Sequence, residues 1–443
     1  MSTTTGTTKK ALITGIAYYD TRNIEKNIAD VANESGFDDF AQIIEGYRPT
    51  EQPNYHHFED EDLFQVLTFD TAGVTGSGTA TLTVTITSTG FARTNLKLKF
   101  KDGKVGYISS AITTASGKDS FTIKSVDGTN LTAVATDTVS PMGITTGEGS
   151  DEVTALSYGL AQRSNLAEHM KDKTEISDIQ EMSMVEAGTG YEAYRQAIDQ
   201  AQAFKSQISA TLIGGVKSVN EFGTASPTVT DINGNSMQFT NGLDAEAVAY
   251  GVSADVASAG TYALTDVDAL CDALTAVKAP STYTQLCPDG AKRKASTMWK
   301  NMGSSGVTSS RLVWNGKEMD FNVDQVTHGK YQLEYGKLDN LDHPQLFKNT
   351  AISKTIYGFP KDKVKVQVGP GGAGGQLNRI GVRYMANKYA SQNQGTAYVR
   401  EWYTGANNDR PTSGKEVRTC HISTTQGFEA IGFRHAFHQK VLS

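Results

Sequence analysis

Between Phe64 and about Ser150 the chain shifts to runs with a two-residue rhythm, and no other feature restricts the fold as sharply. Leu82, Val84 and Ile86 alternate with Thr81, Thr83, Thr85 and Thr87; Leu96, Leu98 and Phe100 alternate with Lys97, Lys99 and Lys101. Phe121 and Ile123 begin a third run, and Leu131 to Thr136 a fourth. Successive side chains of a strand point to opposite faces, so this period describes half-buried strands. The dipeptides Ser77-Gly78, Asp102-Gly103, Ser116-Gly117 and Asp127-Gly128 fall between the runs, where a reversing chain needs turn residues. The pattern predicts a small antiparallel all-β module at about 64–146.

Outside this block the rhythm changes. A helix is expected at Thr21–Glu34, from Ile24, Ile28 and Val31. The stretch Tyr47-Arg48-Pro49-Thr50-Glu51-Gln52-Pro53 is biased toward extended backbone by its prolines, and Glu59-Asp60-Glu61-Asp62 follows. Further on, Tyr191, Tyr194, Ile198, Ala201, Ile208 and Leu212 draw one apolar stripe at helical spacing, which Gly214-Gly215 ends. A second helix is expected at Asp266–Val277, with Thr265 and Asp268 as a capping box and Val267, Leu270, Leu274 and Val277 on its inner face. Phe222–Gly260 reads as loop and short elements. Arg311–Trp314 and Glu318–Val323 read as a hairpin across Asn315-Gly316. Strands are expected at Val364–Val368, Thr396–Tyr403, Glu416–Ser423 and Gly427–His435.

The chain has 443 residues, 38% hydrophobic and 20% charged, with a net charge of −7. That is a globular balance, and it lacks the basic excess of a protein that coats nucleic acid. The cysteines are Cys271, Cys287 and Cys420, an odd and widely spaced set that suits reduced thiols in a cytoplasmic setting. Neither a secretion signal nor a membrane-length apolar run is read, and a soluble protein made inside a cell is expected.

Gly369-Pro370-Gly371-Gly372-Ala373-Gly374 matches a dinucleotide-binding fingerprint. However, Lys363, Lys365 and Gln367 give the preceding strand one wet face, whereas a parallel strand of that fold is buried on both. Too little chain remains after Gly374 to complete such a domain, so a glycine loop is expected. His421, His435 and His438 lack the carboxylate or cysteine that would complete a metal site; His56-His57 reads as a polar loop pair. Asp38-Asp39 and the acidic run from Glu59 read as solvated faces. The expectation is a protein with no catalytic, cofactor-binding or metal residues, and no cofactor.

The order of segments adds to this. An arm reading "RPTEQPNYHHFEDEDLF" leads into the β module with "LKLKFKDGKVGYISSAITTASGKDSFTIKSVDGTNLTAVATDTV". There follow "GITTGEGSDEVTALSYGLAQRSNLAEHMKDKTEISD" and the helix "GTGYEAYRQAIDQAQAFKSQISATLIGG". This succession resembles tailed-bacteriophage major capsid proteins of the Hong Kong 97-type fold, in the group with a β module inserted in the extended loop. Thr174–Ser177 is similar to the strand that returns to the core, and "ALTDVDALCDALTAV" with "YTQLCPDGAKRKAS" to a helix, a strand and a Lys/Arg-bearing turn. "KEVRTCHISTTQGFEAIGFRH" is similar to the terminal strands.

The resemblance implies an α+β capsid fold: a long spine helix on mixed sheet, with peripheral and axial domains and an inserted small all-β domain. It implies an N-terminal arm at 1–60, an extended loop at 61–186 carrying the module, and a peripheral and axial core at 187–443. The implied role is a non-enzymatic shell subunit. It would form hexamers and pentamers with itself, work beside portal, scaffold or decoration proteins, and meet packaged DNA only by non-specific proximity, with no membrane partner. The implied location is the virion capsid, assembled in the host bacterial cytoplasm. The alternative is a phage tail or cell-surface adhesive structural protein.

Overall fold

The computed structural model describes residues 46–60, 66–88, 91–147, 160–177, 192–218, 229–256, 262–304, 313–314, 317–318, 325–342, 347, 350–365, 375–387, 399–405 and 417–441. The expected helix at Thr21–Glu34 and the glycine stretch Gly369–Gly374 lie outside the described residues. The chain divides into two compact units: Met1–His57 with Ser164–Ser443, and Phe58–Arg163. Strand β1 (Tyr47–Thr50) precedes β2 (Asn54–Asp60), which pairs with a later strand in a two-stranded ribbon.

In Phe58–Arg163 the alternating sequence becomes β3 (Leu67–Thr75), β4 (Thr81–Thr87), β5 (Leu96–Lys99), β6 (Val105–Ile108), β7 (Thr113–Ala115), β8 (Lys118–Ser125) and β9 (Thr138–Ile144). Their order is β4-β3-β9-β5-β6-β8-β7, and β4 also pairs with β8 along its whole length. Six strands therefore close a ring, with β7 added to β8, and every pairing is antiparallel. The inward residues fill the barrel: Leu82, Val84, Leu98, Ile108 and Ile123 are fully buried. Burying such side chains is worth about 1.5–3 kcal/mol each. Between β7 and β8, Ser116 and Gly117 both have positive φ, 52° and 74°. That is the two-residue turn whose twist matches its strands, and it accounts for the dipeptide there.

The remaining elements belong to the other unit, except that the first of them begins at Leu160, before the boundary at Arg163. In chain order they are β10 (Leu160–Leu166), the partner of β2, then β11 (Glu168–Ser177), α1 (Glu192–Gly214), α2 (Leu243–Tyr250) and β12 (Val252–Ser253). Next come α3 (Leu264–Ala276), β13 (Thr282–Cys287), α4 (Asp289–Ser304), β14 (Val313–Trp314), β15 (Lys317–Glu318), β16 (Gln325–His328) and β17 (Tyr331–Lys337). The chain ends with β18 (Thr355–Pro360), β19 (Val364–Lys365), β20 (Gln376–Leu377), β21 (Ile380–Met385), β22 (Val399–Gly405), β23 (Val417–Ala430) and β24 (Phe437–Lys440). One sheet runs β1-β21-β23-β11 with β22 also on β23; a second runs β12-β24-β18-β13-β17-β16. Both mix parallel and antiparallel pairs. Pro49 sits in β1 at the sheet edge, where its missing N–H costs no ladder bond.

Several expectations need correction. The stripe assigned to the long helix holds at its end, where Leu212 is buried and Ile208 packs against the core, but not at Ile198, which is 42% exposed while Gln200, Phe204, Ser209 and Ile213, all off the stripe, are buried. The reason is a polar contact that a hydrophobic stripe cannot anticipate. With its amide oriented as its neighbours require, Gln200 accepts from the N–H groups of Lys173 (3.0 Å) and Thr174 (3.2 Å) of edge strand β11. Helix α3 begins earlier than expected, and its first turn is tied by Ala263 N–H donating to Asp266 Oδ2 at 2.8 Å, not by a Thr265/Asp268 box. The Lys/Arg-bearing "turn" is helix α4, whose Ala291, Ala295 and Met298 are buried while Arg293 is exposed. Helix α2 is one of the short elements within Phe222–Gly260, a stretch expected to hold loop and short elements. The two terminal strands are one, the 14-residue β23, followed by a 3-10 turn at Phe433–His435.

Candidate functional site: a buried junction of arm, loop stem and helix end

Strand β11 leaves its partner β23 after the Glu168–Gln426 pair, so the next stretch of β23 loses its neighbour on that side. The orphaned carbonyl is that of Phe428, and two side chains from distant segments satisfy it. Tyr55 of β2 donates its hydroxyl at 2.6 Å, and Asn165 of β10 donates from Nδ2 at 2.7 Å. The crossing is close. A Cβ on Gly427 would stand 2.4 Å from Leu166 O and 2.7 Å from the Tyr55 hydroxyl, so only glycine fits.

Asn165 uses its full hydrogen-bonding capacity. Its Nδ2 also donates to Asn241 O at 3.1 Å, and its Oδ1 accepts from Asn241 N at 2.9 Å and Leu166 N at 2.8 Å. The network continues through Asn241, whose Oδ1 accepts from Lys217 N (2.6 Å), just past α1, and whose Nδ2 donates to Glu246 Oε1 (2.8 Å) in α2. Thr240, fully buried, accepts from Phe428 N at 3.1 Å, and its own N–H donates to Glu168 Oε2 at 3.3 Å. Lys217 Nζ reaches Ser164 Oγ at 2.8 Å. Buried polar groups are costly unless paired, and here several of the pairings, such as Asn165 with Asn241 and with Phe428, join segments far apart in sequence. Burial pushes the Tyr55 hydroxyl well above its ordinary range and raises the Glu168 carboxyl.

The arm is fixed at the neighbouring residue of the same strand. Arg48 of β1 stands directly opposite Arg383 of β21, a like-charge pair that would repel alone. Glu429, 1% exposed, lies between them, 2.6 Å from Arg48 Nη2 and 2.9 Å from Arg383 Nη2. Burial lowers the Arg48 pKa, and the Glu429 carboxylate opposes that shift.

The residues weighed from sequence as possible metal ligands are dispersed. His421 lies on β23, 2.8 Å from Thr404 Oγ1 and stacked on Trp402 with ring centroids 5.0 Å apart. His435 is in the 3-10 turn, and His438 on β24 contacts Ala247 O at 3.1 Å. Among the described residues no three His, Cys, Asp or Glu side chains group as a metal site, and no helix is long and apolar enough to cross a membrane. Sequence reading did not single out Asn165, Tyr55, Thr240, Asn241 or Glu429. None lies in a local motif, and their importance comes only from convergence.

No family model matches the chain, and no curated protein matches it. Among solved structures it is similar to the capsid of the native GTA particle, at 9% identity over 98% of this chain and 99% of that chain, with a TM-score of 0.40. It is similar to a structure from Mycobacterium phage Patience, at 11% identity over 92% of this chain and 83% of that one, TM-score 0.38. It is also similar to the holo-SrpI encapsulin complex from Synechococcus elongatus PCC 7942, at 12% identity over 65% of this chain and 78% of that one, TM-score 0.34.

Proposed function

We propose that the chain is the major capsid protein of a tailed bacteriophage, of the Hong Kong 97 type, which self-assembles into the icosahedral shell around packaged DNA. The observation that carries this reading is the buried junction. An arm strand, the two legs of a long excursion and the end of a 23-residue helix are locked to one central strand. A subunit that meets several neighbours needs an arm and a loop that reach outward from a rigid anchor, because edge contacts alone bury little area. In this reading residues 1–60 are the arm, 61–186 the extended loop with its β module, and 187–443 the peripheral and axial core. The subunit works by non-covalent association into hexamers and pentamers, with portal and scaffold or decoration proteins as further partners. It is not an enzyme and uses no cofactor. It is assembled in the host cytoplasm and resides in the virion.

The test is electron microscopy of the purified, expressed chain. Closed shells of uniform diameter are expected. Fibres, or monomers that stay dispersed at high concentration, overturn the proposal.

A further inference from the structure

The outside of the barrel carries a patterned surface on β5, β6 and β8. Lys97 stands opposite Tyr107, and Tyr107 opposite Lys124, so the three form one row. Lys99 lies two residues along β5, on the same face. Lys99 and Lys124 are exposed, and Lys97 and Tyr107 half-buried. Two lysines of the barrel are paired, Lys104 with Asp102 and Lys118 with Asp70. Lys97, Lys99 and Lys124 have no such ion pair among the described residues. Two large apolar side chains adjoin the lysines: Val126 is 57% exposed and Met142, at the bulge of β9 beside Lys97, is 55% exposed.

Cations beside exposed apolar groups suit a partner that brings carboxylates and apolar side chains together. A phosphate backbone would use the lysines and leave Val126 and Met142 in water, so the surface favours a protein segment over a nucleic acid. The chain itself contains such a segment. Residues 58–64 read Phe58-Glu59-Asp60-Glu61-Asp62-Leu63-Phe64, four acids between apolar ends, and Phe58 is 64% exposed. In its own chain the start of this stretch is held in the ribbon, as part of β2 paired with β10 and with Glu59 facing Arg163 at 3.6 Å.

We infer that the Lys97/Lys99/Lys124 face of one subunit docks residues 58–64 of a second copy. The two surfaces differ, so the contact is head-to-tail. Such a contact repeats from copy to copy, into a ring when its rotation closes. The inference rests on the self-assembling reading above and names the partner of one of its surfaces.

The test uses the full chain with charges exchanged. One variant carries Lys97→Glu, Lys99→Glu and Lys124→Glu; a second carries Asp60→Lys, Glu61→Lys and Asp62→Lys; a third carries all six. The protein concentration at which shells first appear is followed by light scattering and electron microscopy, with circular dichroism as the check on folding. Each triple variant should keep the wild-type spectrum and raise that concentration by roughly tenfold, the equivalent of about 1.4 kcal/mol. The six-fold variant should return it close to wild type. A lysine variant that assembles at the wild-type concentration overturns the inference, as does a six-fold variant no better than the triples. Normal shells that fail only to retain DNA also overturn it, in favour of a nucleic-acid surface. All three results leave the capsid reading standing. A wild-type chain that never forms shells removes both.

Discussion

Tyr55 and Asn165 donate to the same acceptor, the carbonyl of Phe428, at 2.6 and 2.7 Å. One residue enters the excursion that builds the barrel and the other leaves it, so a single backbone oxygen marks where the excursion is anchored. The two donors are not equivalent. Removing the Tyr55 hydroxyl leaves Asn165 on the carbonyl, whereas removing the Asn165 amide strands the N–H groups of Asn241 and Leu166 as well.

Tyr55→Phe should therefore cost about 0.5–1.5 kcal/mol, and Asn165→Ala about 2–5 kcal/mol, because each buried group left unpaired costs about 1–3 kcal/mol. Denaturant unfolding followed by circular dichroism gives both values. Equal costs would mean that the junction is not organised around Asn165.

Glu429→Ala should free the arm. Without the carboxylate, Arg48 and Arg383 face each other across β1 and β21. Breaking a buried pair from one side costs about 3–5 kcal/mol, and the partial exposure of the arginines lowers this to about 2–4 kcal/mol. Limited proteolysis reads the local effect, with faster cleavage near Arg48. A variant cut no faster than wild type would separate the ion cluster from arm docking.

The helix gives a paired test. Phe204, 1% exposed, should cost about 3–5 kcal/mol on replacement by Ala, while Ile198→Ala, at 42% exposure, should change the stability of the isolated subunit by no more than about 0.5 kcal/mol. A large loss at Ile198 would restore the orientation read from the apolar stripe.

Glu168 provides a pH signature. Burial raises its pKa in the folded state, with the Thr240 N–H partly offsetting the shift. A carboxyl whose folded pKa is raised binds its proton more tightly in the native state. Its contribution to stability is thus full at pH below the ordinary carboxylate range and declines as pH rises through that range toward the folded value. Glu168→Gln keeps an acceptor for Thr240 and removes the charge. Its melting temperature at pH 7 should equal or exceed that of wild type, and its stability should fall less between pH 4 and pH 6. A steeper fall in the variant would contradict the buried-carboxyl account.

What was legible in the sequence was whatever depends on near neighbours in the chain. Leu82, Val84 and Ile86 alternate in the sequence and are each 0–1% exposed in the barrel, and Gly214-Gly215 stands where α1 ends. Val267, Leu270 and Leu274 line the inner face of α3 as their spacing predicts. Legibility failed where polar atoms form the buried surface. Gln200, not Ile198, is buried near the start of α1, because it bonds the backbone of β11. The polar run through Thr424 and Gln426 to Gly427 divided β23 on paper, yet these residues are buried in the centre of a sheet. The junction was invisible for the same reason, since Tyr55, Asn165, Thr240 and Glu429 meet only once the chain has folded.

The pairing of β4 with β8 has an effect beyond the barrel's own stability. A shut ring spends its ladder groups on itself, and little backbone remains to offer a neighbour. Recognition by this unit therefore passes to side chains on its outer face, such as Lys97, Lys99 and Lys124, which can be exchanged one at a time without disturbing the interior. The sheet that carries β1 at its edge is not shut in this way. One polypeptide thus holds a surface free to diversify and a surface held by its main chain, and the two can change at different rates.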